Sequence, residues 1–427
     1  MSSQSPFIEI MAPVGCMESL AAAIDAGADS VYFGVEHLNM RARSSANFTT
    51  DDLYKIVDIC RATGVRTYLT LNTVMYPDDL VLMREIVDHA KRAGISAIIA
   101  SDIAVMQYAN SQGVEVHLST QLNIANTEAL RFYAQFADVV VLARELNMQQ
   151  VAAIHKDILE QDIRGRNGDL VRIEMFCHGA LCMAVSGKCY LSLNNLGMSA
   201  NRGACAQICR RGYIVKDKES DLELEIDNQY IMSPKDLKTI RFLDKMLDAG
   251  VTVLKIEGRA RGPEYVKTVV GCYKEAVEAW RRGEYQSSAI NCRLQAWDER
   301  LARVFNRGFW DGYYQGQTLG EWNDSHGNKA TRRKVYAGHC TNYFKNIGVA
   351  EFLIEAHVVK RSDELLVTGE TTGAYECPAQ QMRVYENEDS QTEIPDAAEA
   401  VQGQLMCIKT DTVIRRGDKL FIMEHTL

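Results

Sequence analysis

Between residues 8 and 259 the chain alternates two textures. Short apolar or β-branched runs read as strands: IEIMAPVG (8–15), SVYFGV (30–35), VRTYLTLN (65–72), AIIASD (97–102), EVHLSTQLN (115–123), DVVVLARE (138–145), VRIEMFCHG (171–179) and TVLKIEGR (252–259). Between them, MESLAAAIDAGA (17–28), TDDLYKIVDICRATG (50–64), DDLVLMREIVDHAKRAG (78–94) and TEALRFYAQFA (127–137) space their apolar residues for one face of a helix. Gly27, Gly64, Gly94, Gly113 and Gly250 fall where each helix would hand over to the next strand. Eight such alternations predict an α/β fold with a parallel sheet closed into a (β/α)8 TIM-type barrel, over an open doubly wound sheet.

The rhythm breaks once. A long insertion, 177–232, separates the seventh strand from a predicted helix, SPKDLKTIRFLDKMLDAG (233–250). Loops of that length without regular structure are usually functional or disordered. PEYVKTVVGCYKEAVEAWRRG (263–283) reads as the last barrel helix, closing a domain over 1–283. Residues 284–330 read as a linker or extension, with an aromatic, glycine-rich turn at 304–314. From 331 to 427 short alternating strands and turns such as Arg416-Gly417-Asp418 predict a small C-terminal all-β barrel.

Composition narrows the class. The 427 residues are 47% hydrophobic and 24% charged, which suits a globular protein with sizeable cores. No run reaches the ~18 apolar residues of a membrane-spanning helix, and MSSQSPFIEI lacks the look of a signal peptide; a cytoplasmic location is expected. A net charge of −9 argues against coating nucleic acid by bulk charge but leaves room for basic patches at Arg210–Arg211, Arg281–Arg282, Arg415–Arg416 and Arg332–Arg333–Lys334.

The insertion holds five of twelve cysteines, at 177, 182, 189, 205 and 209. In a reducing compartment such a cluster points to metal binding or redox chemistry rather than disulfides. Gly187, Gly197 and Gly203 allow the tight turns that bring thiolates to one centre. Without Cys-x2-Cys knuckles the spacing suits an iron–sulfur cluster somewhat better than zinc. Cys177 is a ligand, a core residue or a catalytic thiol on spacing alone, and His178 a ligand or a hydrogen-bonded bystander. The remaining cysteines sit singly in core-like patterns and read as small hydrophobes.

EMFCHGALCMAVSGKCYLS (174–192) resembles the signature of the collagenase-like peptidase family, once of unknown catalytic type. The resemblance continues through NRGACAQICRRGY (201–213), SPKDL (233–237), LKIEGR (254–259) and FNRGFWDGYY (305–314), and back to APVG, AGADSVYFG and LNMRARSSANF (38–48). It is greatest for the branch of prephenate-dependent tRNA uridine 5-hydroxylation proteins. That branch implies an enzyme of oxygen-independent wobble-uridine hydroxylation, with tRNA and a small dicarboxylate such as prephenate as partners and Cys182, Cys189, Cys205 and Cys209 as ligands of a 4Fe-4S cluster. An accessory protein is a further candidate partner, and the lack of a long apolar run predicts no membrane. Zinc is the alternative metal, and a collagenase-like peptidase or a zinc-stabilised non-catalytic RNA-binding subunit the alternative function.

A barrel places its active site at the strand C-terminal ends. These supply Glu36, Arg41, Arg43, Asn72, Ser101, Asp102, Thr120, Gln121, Asn123, Arg144, Glu145, His178, Glu257, Arg259 and Arg261. For the dicarboxylate the resemblance implies, guanidinium groups are the natural anchors, so Arg41, Arg144 and Arg259, with Asn72 and Gln121, are the expected substrate-binding residues. Glu257, Glu145 and His178 are the expected acid/base or orienting groups. No HExxH or GxSxG motif supports a protease, and Cys177–His178, as neighbours on a strand, should face opposite ways.

Overall fold

The computed structural model describes residues 6–426 apart from 43–46, 198, 212, 217, 221–222, 227–231, 324–326 and 388–391. Eight parallel strands form its centre: β1 (Glu9–Pro13), β2 (Ser30–Phe33), β3 (Arg66–Leu71), β4 (Ala97–Ala100), β5 (Glu115–Leu118), β6 (Val139–Val141), β7 (Arg172–Ala180) and β8 (Val251–Ile256). Each pairs with the next, and β8 pairs with both β7 and β1, so the sheet closes. Met11, Tyr32, Tyr68, Ala97, Ile99, Val139 and Val253 fill the barrel interior, and a larger core lies between strands and helices. Both faces of every strand are therefore buried, which is why the strands read as continuous apolar runs.

The helices around the barrel are α1 (Met17–Asp25), α2 (Asp52–Thr63), α3 (Leu80–Ala93), α4 (Ile103–Ser111), α5 (Thr127–Ala134), α6 (Met148–Glu160), α7 (Leu243–Asp248) and α8 (Pro263–Arg281). Gly64 and Gly94 end α2 and α3 in the left-handed conformation that a side chain disfavours. The helix expected over 233–250 is a correction. Only Leu243–Asp248 is α-helical; Asp236–Lys238 is a strand antiparallel to the end of β7, where Leu237 faces Gly179 and Lys238 faces His178. That long-range pairing overrides the local helical pattern.

Residues 284–330 carry regular structure that packs on the barrel. A further helix, α9 (Ile290–Arg303), buries Trp297 and Leu301 in the barrel core, and Phe309–Trp310 pairs in parallel with Asp236–Leu237. The insertion also has structure of its own: β7 runs on to Ala180, a helix spans Leu191–Leu196, single 3-10 turns cover Ala200–Arg202 and Ile208–Arg210, and a hairpin joins Tyr213–Lys216 to Glu223–Ile226.

The C-terminal region is a separate antiparallel all-β unit. Its strands are β9 (Arg332–Phe344), β10 (Val349–Ile354), β11 (Glu364–Gly369), β12 (Gly373–Pro378), β13 (Arg383–Tyr385), β14 (Glu393–Ile394), β15 (Leu405–Lys409) and β16 (Lys419–His425), in the order β12-β11-β16-β9-β10-β15-β13-β14. Phe352, Leu365, Val367, Met406 and Leu420 lie in its own core.

Candidate active site

The insertion roofs the C-terminal mouth of the barrel. Val74 N–H donates to Asn201 O at 3.2 Å, and Asn123 Nδ2 donates to Ser186 O at 3.0 Å. Arg202 donates to Val74 O at 2.7 Å and pairs with Asp79. At Gly203, with φ +77°, a Cβ would stand 2.4 Å from Asn39 O, so the roof meets the loop after β2 through bare backbone. Beneath it lies a cavity of about 240 Å³.

The floor of this cavity is barrel interior. Tyr32, Ile99, Phe176 and Lys255 line it, and the Lys255 ammonium pairs at 2.6 Å with Glu174, which is fully buried. Above them the strand ends supply Arg41, Asn72, Gln121, Arg144, Glu257, Arg259 and Arg261, and the roof contributes Cys182, Cys189, Cys205, Cys209 and Arg210. All five expected substrate-binding residues are thus brought together, with Glu257 and the four expected ligand cysteines. Arg43 lies outside the described residues.

Glu257 is the only carboxylate on the cavity wall among the described residues. It pairs with Arg41 at 2.8 Å and accepts from the Tyr32 hydroxyl at 3.3 Å. Burial works to raise its carboxyl; the charges of Arg41, Arg144 and Arg259 overcome this and hold it at about 2. Burial lowers the Arg259 guanidinium to about 10, still charged at neutral pH, and its recorded donors go to Thr70 Oγ1 at 2.9 Å and Asn39 Oδ1 at 3.3 Å, both neutral. Arg144 stacks 3.9 Å above the Phe176 ring and donates to Ala180 O at 3.4 Å, while its buried Nε has no partner. Arg261 stacks 3.5 Å from the Phe305 ring. Among the described residues none of these three makes an ion pair. Asn72 donates to Ser119 Oγ at 3.0 Å and to Gln121 Oε1 at 3.4 Å, which fixes both amides on one wall.

The four roof thiols share this wall. Burial raises the Cys209 thiol, the Arg210 charge works against this, and Cys182, Cys205 and Cys189 push it up again, so each of those three lies within electrostatic reach of Cys209. Among the described residues no group of three or more His, Cys, Asp or Glu side chains is gathered so as to hold a metal ion. In donor chemistry, four thiols on one cavity wall fit an iron–sulfur cluster.

Two of the expected acid/base residues, His178 and Glu145, do not line this cavity. His178 lies outside the cavity, buried against Tyr273, Tyr265 and Phe309; burial, helped by the charge of Lys238, pushes its imidazole down to about 3. Cys177 is buried as well, with its thiol raised by burial and directed to Lys255 O at 3.5 Å. β7 has a register irregularity where it meets Lys255 and Ile256, and neither side chain lines the cavity. Glu145 is exposed and lies beside a small side pocket next to Arg144.

The expected basic surface also changes. Arg332 is buried between Glu364 and Glu376, Arg333 pairs with Glu424, and Lys334 pairs with Glu264. Arg210 is spent on Ser233 Oγ and the carbonyls of Pro234 and Leu181. The residue that the sequence reading overlooked is Lys255. Its signal was a lysine inside an otherwise apolar strand run, which a barrel interior tolerates only when paired.

The profile of peptidase family U32 matches residues 15–324. The chain belongs to peptidase family U32. Within the family it is 62% identical over 413 residues to a "Collagenase" of Porphyromonas gingivalis, covering 97% of each chain. It is 32% identical over 371 residues to a tRNA hydroxylation protein of Bacillus subtilis, covering 84% of this chain and 82% of that one. A 23S rRNA 5-hydroxycytidine synthase of Escherichia coli is 31% identical over 314 residues, covering 73% of this chain and 46% of that protein. U32 relatives thus bear the names both of a peptidase and of RNA hydroxylation proteins. No described helix of this U32 chain is long and apolar enough to cross a membrane.

Proposed function

We propose that this U32 protein is a cytoplasmic RNA-modifying enzyme of the tRNA uridine 5-hydroxylation type, working without molecular oxygen on a small dicarboxylate such as prephenate. The observation that carries the reading is the charge of the cavity. Among the described residues, Arg144, Arg259 and Arg261 face it without an ion pair, against one carboxylate that Arg41 already neutralises. Such a site is incomplete without an anion, and guanidinium groups bind carboxylates in pairs of parallel hydrogen bonds. The names of the Bacillus subtilis and Escherichia coli relatives supply RNA hydroxylation as the accompanying chemistry.

Cys182, Cys189, Cys205 and Cys209 would hold an iron–sulfur cluster in the roof. A single zinc draws its thiolates to about 2.3 Å from one point, whereas a cluster spreads them over several irons. The four thiols line one cavity wall, and their uneven spacing without Cys-x2-Cys knuckles supports the cluster reading. When bound, it supplies one-electron chemistry beside the cavity. The chain's own residues do the rest. Arg144 and Arg259 orient the anion, Arg41 keeps Glu257 ionised, Asn72 and Gln121 present amides to neutral oxygens, and the roof excludes bulk water.

A peptidase is the second reading, favoured by the name of the Porphyromonas gingivalis relative. Peptide hydrolysis needs a base near its nucleophile or metal-bound water. Among the described residues no histidine lines the cavity, and a carboxylate held at about 2 is a poor base. The deciding experiment is nucleoside mass spectrometry of tRNA from a strain lacking the gene, grown without oxygen. Loss of 5-hydroxyuridine derivatives is expected. Unchanged tRNA together with lost gelatin cleavage would reverse the ranking. Anaerobically purified protein should be brown and carry iron and acid-labile sulfide, and Cys205→Ser should remove colour and modification together.

A further inference from the structure

We propose that Lys255 forms an imine at the floor of the cavity, and that the small molecule it captures is a 2-oxo acid. The inference rests on reading the cavity as a carboxylate site and adds the functional group next to that carboxylate.

Lys255 lies on β8 with its side chain 6% exposed, and it lines the cavity between Tyr32 and Phe176. Its Nζ stands 4.8 Å from the centre of the Tyr32 ring and 5.5 Å from that of Phe176. An ammonium has three N–H donors. Glu174 Oε1 takes one at 2.6 Å, and no second hydrogen-bond acceptor is recorded for Nζ among the described residues. Glu174 Oε2 is buried without a partner. A lysine–glutamate pair taken this far from water, with donors and an acceptor to spare, is expensive to keep as mere structure. It is well arranged as a nucleophile beside its own proton acceptor, with the carboxylate one hydrogen bond from the nitrogen.

The chemistry closes on residues already in place. Lys255 passes a proton to Glu174, and the freed amine attacks the ketone carbon of the ligand, forming the C–N bond. The nitrogen loses a proton to the former carbonyl oxygen, giving a carbinolamine. Glu174 returns its proton to that oxygen, which departs as water and leaves a protonated imine facing the Glu174 carboxylate. Nothing is oxidised or reduced. The ligand's carboxylate, one bond from the ketone, meets a guanidinium of the wall, Arg259 or Arg144, neither of which makes an ion pair among the described residues. An aldehyde or a simple ketone would use the amine but leave that charge unanswered. A 2-oxo acid answers both.

The test uses the full-length, anaerobically purified protein with pyruvate and phenylpyruvate as probes. Binding is read by calorimetry, and imine formation by cyanoborohydride reduction followed by peptide mapping. One reduced adduct at Lys255 is expected. Lys255→Arg, which keeps a cation opposite Glu174, should lose the adduct while its melting temperature and probe binding are retained. Glu174→Gln should slow labelling without moving it. Binding without an adduct at Lys255, or labelling spread evenly over exposed lysines, overturns the assignment of Lys255 alone. Absence of binding by either probe overturns it together with the carboxylate-site reading beneath it.

Discussion

A backbone hydrogen bond joins Glu257 N–H to His178 O at 2.9 Å, yet the two side chains live in different surroundings. Glu257 faces guanidinium groups and stays ionised to about pH 2. Its depressed value stabilises the fold fully above the ordinary carboxyl value of 4.5, and that contribution is lost as pH falls towards 2. Glu257→Gln should therefore cost on the order of 3 kcal/mol at pH 7, with the gap to wild type closing between pH 4.5 and 2. Urea denaturation at pH 7 and pH 3 reads this. A constant gap would mean that the carboxylate's charge contributes nothing. His178 is held neutral in the folded state to about 3, while an unfolded imidazole protonates at 6.5. Over that window the unfolded state binds the extra proton, so stability falls as pH falls, by about 1.4 kcal/mol per unit. His178→Gln should flatten the curve between pH 6.5 and 4. Parallel curves for the two proteins would refute the buried neutral imidazole.

At the scale of elements, the roof depends on contacts that admit no side chain. Alanine at Gly203 would put a Cβ 2.4 Å from Asn39 O and hold an L-residue at φ +77°. The left-handed backbone alone costs roughly 1–2 kcal/mol, and the clash adds to it. Gly203→Ala should lift the roof from the loop after β2 while the barrel beneath survives. Limited proteolysis should cut within residues 182–211 much faster, with the far-UV melting curve little changed; equal cleavage would show the contact to be dispensable. The barrel itself was legible because strands buried on both faces give unbroken apolar runs, and because glycines mark the helix ends. The segment after the insertion was not. Leu237 and Ile240 carry a helical pattern, but they are claimed by pairing with Gly179 and by the core, partners about sixty residues or more distant that no local window contains. The cysteine roof and arginine wall were legible as residue types at strand ends. His178 was misread because the rings that enclose it, Tyr265, Tyr273 and Phe309, come from segments far along the chain, and Lys255 was missed because its partner Glu174 lies on a different strand.

For the molecule as a whole, charge is distributed against its total. The chain carries −9, while its cavity is cationic and the basic run 332–334 is consumed in ion pairs. Those pairs do architectural work instead, since Lys334 reaches Glu264 on α8 and Lys267 donates to Ala374 O at 2.6 Å. Between them a small apolar seam of Ala22, Leu366, Ala374 and Met423 joins α1 to the C-terminal sheet. Gly373 lies at its tightest point: a Cβ there would come within 2.8 Å of Ala22 N, at φ +67°. Small residues at both positions let a strand edge approach the helix backbone, and a larger one leaves no room. Because each side has its own core, breaking the seam should separate the units rather than unfold them. Gly373→Val is expected to turn a single calorimetric transition into two, with the sheet melting first and the barrel close to its original temperature. A variant that still melts in one step would show that the seam contributes little, and that the cationic neighbours Lys267 and Lys334 are enough to hold the sheet to the barrel.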